Sequence, residues 1–273
     1  TNSAPEAGYI IDDAQVRVVF VGNQAQYDKV RRSGTAHPRL TRVVAFDRDV
    51  ALAGTDDLHF RALLALGAAN QHPAELDRRL SEARSDAVLT VIYTSGTTGP
   101  PKGAMHTHRS FMAGIHPSVN LFPEAGFEDI SLAILPLSHV FERMWSYGCM
   151  SRGIQIAYCP GPSEFLSAMQ RIRPQFLTSV PRIWEKVHAA TQEGLEAARP
   201  LKRRLFHWAL AEGREAYRAR AAFIAPPWHR RIRHALADRL VLGPARTKLG
   251  ADRNRVFHVG GAPFAPELND FFQ

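Results

Sequence analysis

The residues best suited to chemistry lie together in Tyr-Thr-Ser-Gly-Thr-Thr-Gly-Pro-Pro-Lys-Gly, positions 93–103. The stretch packs four Ser/Thr hydroxyls, three glycines, two prolines and one lysine behind an apolar run. That run, Val-Leu-Thr-Val-Ile-Tyr (88–93), reads as a buried strand. Glycines let backbone N–H groups converge on an anion, and Ser/Thr hydroxyls add donors. Lys102 contributes a mobile positive charge. Pro100 and Pro101 stiffen the exit, and a helix pattern follows from about Met105. Every component suits a phosphate cradle; the plain alternative is an ordinary polar loop. The common P-loop needs Gly-Lys-Ser/Thr in one run. Here Lys102 comes three residues after Gly99 and no hydroxyl follows it, so the cradle is of another kind.

The elements that must position this loop read as alternating strands and helices. Short β-branched runs predict strands at Val16–Val21, Val43–Phe46, Val88–Tyr93, Leu132–Leu135, Ile154–Tyr158, Phe176–Val180 and Val256–Val259. Phe165, Ala168, Met169 and Ile172 recur at helical spacing, with Ser163 as the expected N-cap. Pro181 suits the first turn of a further helix. The alternation predicts an α/β fold with mainly parallel sheets flanked by helices. Ligands in such folds sit at the carboxyl ends of strands, where residues 94–103 would lie. Residues 186–248 differ: two or three helices follow one another with no strand between. One apolar stripe is Leu201, Leu205, Trp208 and Ala209; another is Ile232, Ala235, Leu236 and Leu240. Ala-Pro-Pro (225–227) separates them, and the whole predicts a helical insertion. The polar stretch Gln71–Asp86 suggests a boundary between a partial α/β subdomain, 1–85, and a second subdomain, 86–273.

Thr-Ser-Gly-Thr-Thr-Gly-x-Pro-Lys-Gly resembles the signature loop of the AMP-forming acyl-adenylate superfamily, which includes acyl-CoA synthetases, luciferases and nonribosomal adenylation domains. Only Pro100 occupies the variable slot. The resemblance implies that Thr94, Ser95, Gly96, Thr97, Thr98, Gly99 and Lys102 hold the ATP phosphates, Lys102 with a catalytic part. Leu-Pro-Leu-Ser-His-Val-Phe-Glu-Arg-Met (135–144) is similar to a core motif of the long-chain fatty acid–CoA ligases. It implies that His139 lies beside the adenylate and the acyl group, whereas a lone histidine is otherwise more often structural. Thr-Ser-Val-Pro-Arg-Ile-Trp-Glu-Lys-Val (178–187) resembles the same subgroup's segment near the acyl tunnel, implicating Val180 and Trp184; core packing is the alternative for Ile183, Trp184 and Val187. Val-Gly-Gly-Ala-Pro-Phe (259–264) resembles the strand exit that packs on adenine, so Gly260, Gly261, Ala262 and Pro263 inherit that role. Bare backbone there can approach a flat ring; otherwise the tract is a generic turn.

By that resemblance, a fatty carboxylate attacks ATP at the α-phosphorus, giving acyl-AMP and pyrophosphate. The thiol of coenzyme A then takes the acyl group and AMP leaves. The implied substrates are fatty acid, ATP and coenzyme A, with Mg²⁺ on the phosphates. The family's Tyr-Gly-x-Thr-Glu motif, ribose-binding Asp, hinge and C-terminal domain with its lysine do not occur within these 273 residues. The chain is therefore expected to be the middle of an enzyme, cut at both ends, inactive alone and with no metal ligand of its own. The competing readings are an adenylate-forming ligase for another carboxylate and a non-catalytic nucleotide-binding fragment.

The bulk composition bounds these readings. With 45% hydrophobic residues the chain can bury a sizeable core. Cys149 and Cys159 form no C-x-x-C pair, and a reducing cytoplasm fits. No apolar run is long enough for a spanning helix. The net charge of +8 concentrates between Arg199 and Arg233, where ten Lys/Arg face Glu212 and Glu215. The bland reading is a solvated helical face. An anionic cofactor or a membrane surface is the alternative, hence an expected peripheral membrane contact. Nucleic acid ranks last as a partner, because no recognition motif accompanies the charge. Oligomeric state has no signature.

Overall fold

The computed structural model describes residues 2–31, 37–94 and 99–272. It divides by compactness into two units, residues 1–112 and 113–273. The subdomain boundary expected at 85/86 is a separate matter and stays a proposal.

The first unit opens with α1 (Ala4–Asp13), β1 (Val18–Val21), α2 (Gln24–Arg31), β2 (Arg42–Ala45) and β3 (Leu58–His59). Ser3 starts α1 through a reciprocal cap with Glu6, two orphan donors satisfied at once. The strands form a parallel sheet in the order β1-β2-β3, and β2 is buried from Val43 to Ala45. Asp57 ties this sheet to α2. Its carboxylate accepts from Tyr27 Oη (2.5 Å), Arg31 Nε (2.9 Å) and the Val43 N–H (2.8 Å). Burial pushes that carboxyl up, and these donors, Arg31 foremost, outweigh it and hold it below its ordinary range.

Next come α3 (Phe60–Ala69) and α4 (Pro73–Ser81). The stretch read as a boundary, 71–86, thus carries a helix. It is exposed all round and stitched by Arg78 and Arg79 to Glu75 and by Arg78 to Glu82. Such pairs support a helix that buries no face.

The last strands of the unit are β4 (Val88–Thr94) and β5 (Lys102–Thr107), paired antiparallel with Thr94 opposite Lys102. Two expectations are corrected here. The tract after Met105 is strand to Thr107, and α5 (His108–Asn120) begins only at His108. β4 is half-exposed rather than buried: only Ile92 is fully covered, and Val88 is 53% exposed. A hairpin covers one face of its strands, so alternate side chains stay in solvent.

The second unit holds β6 (Ile130–Ala133), α6 (Val140–Arg152), β7 (Gln155–Tyr158), α7 (Phe165–Ile172), β8 (Phe176–Ser179), α8 (Pro181–Glu196), α9 (Pro200–Ala221), α10 (Trp228–Ala237), α11 (Gly243–Leu249), β9 (Val256–Val259) and α12 (Pro266–Phe272). The four strands are parallel in the order β7-β6-β8-β9. β8 is buried along its whole length, as a strand covered on both faces must be. Leu132, Leu177, Met169, Phe165 and Trp184 pack together in the core. Ser163 is not the cap of α7; it lies inside a short 3-10 turn (Pro162–Glu164), and Glu164 occupies the cap position. Between β8 and β9 the connection is four helices long, α8 to α11, with a π-helical stretch Asp238–Leu242. Among the described residues no helix is long and apolar enough to cross a membrane.

Candidate functional site

Sheet order alone points to one place in the second unit. The chain leaves β6 toward β7 on one side, and leaves β8 toward β9 on the other. Parallel α/β sheets open a crevice at such a switch, outside the carboxyl ends of the two strands. The loop after β6, the exit of β8 and, beside it, the exit of β9 therefore share one edge. His139, Val180 and Gly260 to Pro263 all fall there.

His139 is exposed and is the N-cap residue of α6 in extended conformation, with no side-chain cap bond. The loop holding it is stiff: His139 N–H donates to Pro136 O (3.0 Å), and Arg143 Nε donates to Leu137 O (2.6 Å).

Glu142 lies one turn further on and is fully buried. Its carboxylate accepts from Thr178 Oγ1 on β8 (2.7 Å), from the Leu135 N–H (3.3 Å) and from Ser146 Oγ (3.4 Å). It clips the β6–α6 loop to β8 across the switch. The sequence alone does not reveal it. A glutamate inside the apolar tract 130–150 looks like an interruption; only the hydroxyl of Thr178, 36 residues away, gives it a purpose. Burial pushes the Glu142 carboxyl up, and its three donors only partly offset that. The folded chain thus holds this proton more tightly than the unfolded one. Stability from this group is complete below the unfolded carboxyl pKa and is lost as pH rises through the higher native value. Glu142→Gln is expected to raise Tm by about 3 °C at neutral pH and to leave it unchanged in acid near the unfolded value. A variant that melts earlier at both pH values would show an ionised, indispensable carboxylate.

At the exit of β8, Ser179 Oγ accepts from Trp184 Nε1 (2.8 Å) and donates to His258 O on β9 (2.9 Å). Trp184 is 4% exposed and sits among Phe165, Phe257 and Phe272. That placement is the packing alternative left open in the sequence. Val180 borders Gly261, which adopts φ +83°, a region that disfavours any residue with a Cβ. The Gly260 N–H donates to Ser179 O (3.0 Å), and a Cβ on Gly260 would meet the Phe141 ring at 3.2 Å. Gly261, Ala262 and Pro263 are exposed, so bare backbone lines the edge.

Phe141 also borders a cavity of about 100 Å³ walled by Ile115, Ser118, Met144, Trp145 and His258. Formed ligand pockets run to roughly 300–1,000 Å³. The buried Nε2 of His258 has no hydrogen-bond partner among the described residues, and burial pushes the ring's pKa down, toward the neutral form. Cys149 is buried and its thiol is pushed up to about 12 by that burial, which makes it inert as a nucleophile.

In the first unit, Thr94 and Lys102 face each other at the end of the β4–β5 hairpin, both exposed or partly so, with Gly99 exposed at φ +123°. Ser95, Gly96, Thr97 and Thr98 lie outside the described residues. Tyr93, the neighbour of Thr94 at that end, donates to Asp13; burial, then Asp13, pushes its phenol up to about 12. Among the described residues no three His, Cys, Asp or Glu side chains gather.

Comparison with known proteins adds the following. A family model for AMP-binding enzymes matches residues 1–273. A long-chain-fatty-acid–CoA ligase of Xenopus laevis is 25% identical over 100% of this chain and 37% of its own length. A long-chain-fatty-acid–CoA ligase of Mycobacterium tuberculosis is 29% identical over 100% of this chain and 44% of its own. The chain thus spans less than half of these relatives. Among solved structures, the N-terminal domain of FACL13 from Mycobacterium tuberculosis superposes with a TM-score of 0.60 at 20% identity, over 99% of this chain and 51% of that one. At that identity the likeness speaks for the fold.

Proposed function

Because this chain belongs to the AMP-binding enzyme family, we propose that the protein carrying it activates a long-chain fatty acid with ATP and passes the acyl group to coenzyme A. The observation that carries this reading is the loop 94–103 at the end of β4, set in a family match along the whole chain. The acyl class rests on the Leu-Ser-His-Val-Phe-Glu-Arg tract and on relatives named long-chain-fatty-acid–CoA ligases.

In the proposed reaction a carboxylate oxygen attacks the α-phosphorus of ATP. The bond from that phosphorus to the bridging oxygen breaks, and pyrophosphate leaves. The thiol of coenzyme A, losing its proton, then attacks the acyl carbon and AMP departs. The chain's part is positioning and charge neutralisation. Thr94, Ser95, Gly96, Thr97, Thr98, Gly99 and Lys102 would hold the phosphates. Gly260, Gly261, Ala262 and Pro263 would take the adenine face, and His139 and Val180 would flank the reacting carboxylate. Trp184 would act through Ser179, fixing the β8 exit from inside the core. Mg²⁺, when bound to the nucleotide, would neutralise phosphate charge.

The competing reading is an adenylating ligase for a different carboxylate, which would share the loop 94–103. Fatty-acid-dependent ATP–pyrophosphate exchange across a series of acyl lengths separates them. Exchange that climbs with chain length supports the long-chain reading. Exchange that peaks with short or aromatic acids replaces it with the second, and no exchange with any carboxylate leaves only nucleotide binding.

A further inference from the structure

The backbone ladder between β6 and β8 is short. It pairs Ser131 with Phe176 and Leu132 with Leu177, and stops there. On its other side β8 stays paired with β9 as far as Ser179 and Val259. The ladder that spaces β6 from β8 thus ends where the crevice begins. A side chain takes over at the next residue. Thr178 Oγ1 donates to Glu142 Oε2 (2.7 Å), and the same oxygen accepts from the Leu135 N–H (3.3 Å). One carboxylate oxygen therefore joins β8 to the start of the loop 135–139.

Local structure does not explain that bond. Glu142 stands three residues after the N-cap His139, the spacing of a capping box, where a glutamate bonds back to the N-cap N–H. Here the His139 N–H goes to Pro136 O instead, and Glu142 turns inward among buried Thr178 and Ser146. A local cap is given up for a strand 36 residues further on. Stability does not explain it either. Burying a carboxyl is costly, and two apolar side chains of the same shape would pack as well. The other holds on the loop, Arg143 on Leu137 O and Pro136 O on the His139 N–H, tie it to its own helix and to itself. Glu142 ties it to β8.

His139 ends the loop on one side of this joint, and Val180 follows Thr178 by two residues on the other. We propose that Glu142 is a positioning residue for adenylation: through Thr178 it sets the opening between the His139 loop and the exit of β8, and with it the placement of the carboxylate for attack. This rests on the adenylating-ligase reading above. Glu142 acts through the loop and not on the substrate. A misplacement of about 1 Å can cost on the order of 10²-fold in rate. The edge assigned to adenine is held by other bonds, Ser179 Oγ to His258 O (2.9 Å) and the Gly260 N–H to Ser179 O (3.0 Å). Loosening the Glu142–Thr178 joint should therefore disturb the carboxylate and spare the nucleotide.

The test is ATP–pyrophosphate exchange by the full-length protein, with KM measured separately for fatty acid and for ATP. Thr178→Val keeps the shape and removes the hydroxyl. It should lower kcat/KM for fatty acid about 10–100-fold and leave KM for ATP within about twofold. Thr178→Ser keeps the donor and should restore most of the wild-type value. Glu142→Gln should do likewise, since its amide oxygen can accept from Thr178 and Leu135 while its NH₂ donates to Ser146. Glu142→Leu combined with Thr178→Val should lose no more than the worse single variant, because the two residues act as a unit. If the pair only held the fold together, activity would fall with the folded fraction and both KM values would stay; that result overturns the proposal. So does a Thr178→Val protein as active as wild type, a Thr178→Ser protein no better than Thr178→Val, or losses that multiply in the double variant. In each of these cases the ligase reading stands. Wild-type protein that exchanges with no carboxylate removes that reading first, and this inference with it.

Discussion

Lys102→Ala in the full-length protein is expected to slow fatty-acid-dependent ATP–pyrophosphate exchange by about 10²–10³-fold, the usual cost of one preorganised charge or donor at a developing anion. The loss should fall on kcat more than on KM for ATP if the ammonium grips the phosphates most strongly as pyrophosphate departs. The fold should not suffer. Lys102 is exposed at the start of β5, where its backbone pairs with Thr94. The register of that hairpin is set elsewhere, by the Tyr93 anchor on Asp13 and by a tight approach at Gly103, where a Cβ would come within 2.9 Å of Val91. Tm is therefore expected to stay at the wild-type value, which makes the kinetic change interpretable. Lys102→Arg should restore little, because a planar fork does not replace a mobile point charge. Unchanged exchange in Lys102→Ala would remove the phosphate role.

What is readable in the residues, and what is not, follows from range. Val256–Val259 is predicted to the residue, and β2, β6, β7 and β8 to within two positions at either end, because buried parallel strands are short β-branched runs whose signal is local. Lys-Gly-Ala-Met-His-Thr has no such signal. Its strand exists because β4 offers an antiparallel partner, so the expectation of a helix from Met105 fails. The α/β class with helix-flanked parallel sheets and the run of helices before β9 are legible from alternation and from its interruption. The glycine- and hydroxyl-rich make-up of residues 94–103 is legible from residue types alone, and its role on phosphates stays a proposal. The switch between β6 and β8 is not legible: it depends on which strands become neighbours, which no single segment records. Glu142 shares that fate, since Thr178 gives it meaning only after β8 is placed next to β6.

Gly250→Ala is expected to cost about 3–5 kcal/mol and to lower Tm by roughly 10 °C, far more than a typical single-methyl change. Gly250 closes α11 in the left-handed region at φ +78°. That conformation alone disfavours alanine by about 1–2 kcal/mol. Steric contact costs more. A Cβ at Gly250 would lie 2.1 Å from Met169 O, 2.4 Å from Met169 C and 2.7 Å from Gln170 N. These are backbone atoms in the last turns of α7, which cannot swing aside as a side chain could. Met169 is fully buried, and Gln170 Nε2 donates to Lys248 O (2.9 Å), so the two helices are fastened at this point. Two other glycines calibrate the claim. At Gly153, φ +73°, the obstacle is the Phe127 ring, which is 81% exposed and free to turn away. At Gly67, inside α3, nothing lies within 4 Å, and alanine should stabilise by about 0.5–1 kcal/mol. Thermal melts of the three alanine variants should rank Gly250 far below Gly153, with Gly67 above wild type. Gly250 matters beyond stability because α11 is where the helical connection returns to β9. If its packing on α7 yields, the strand that carries Gly260 to Pro263 loses its fixed approach to β8. Equal melting temperatures for the Gly250 and Gly67 variants would refute the close contact between α11 and α7.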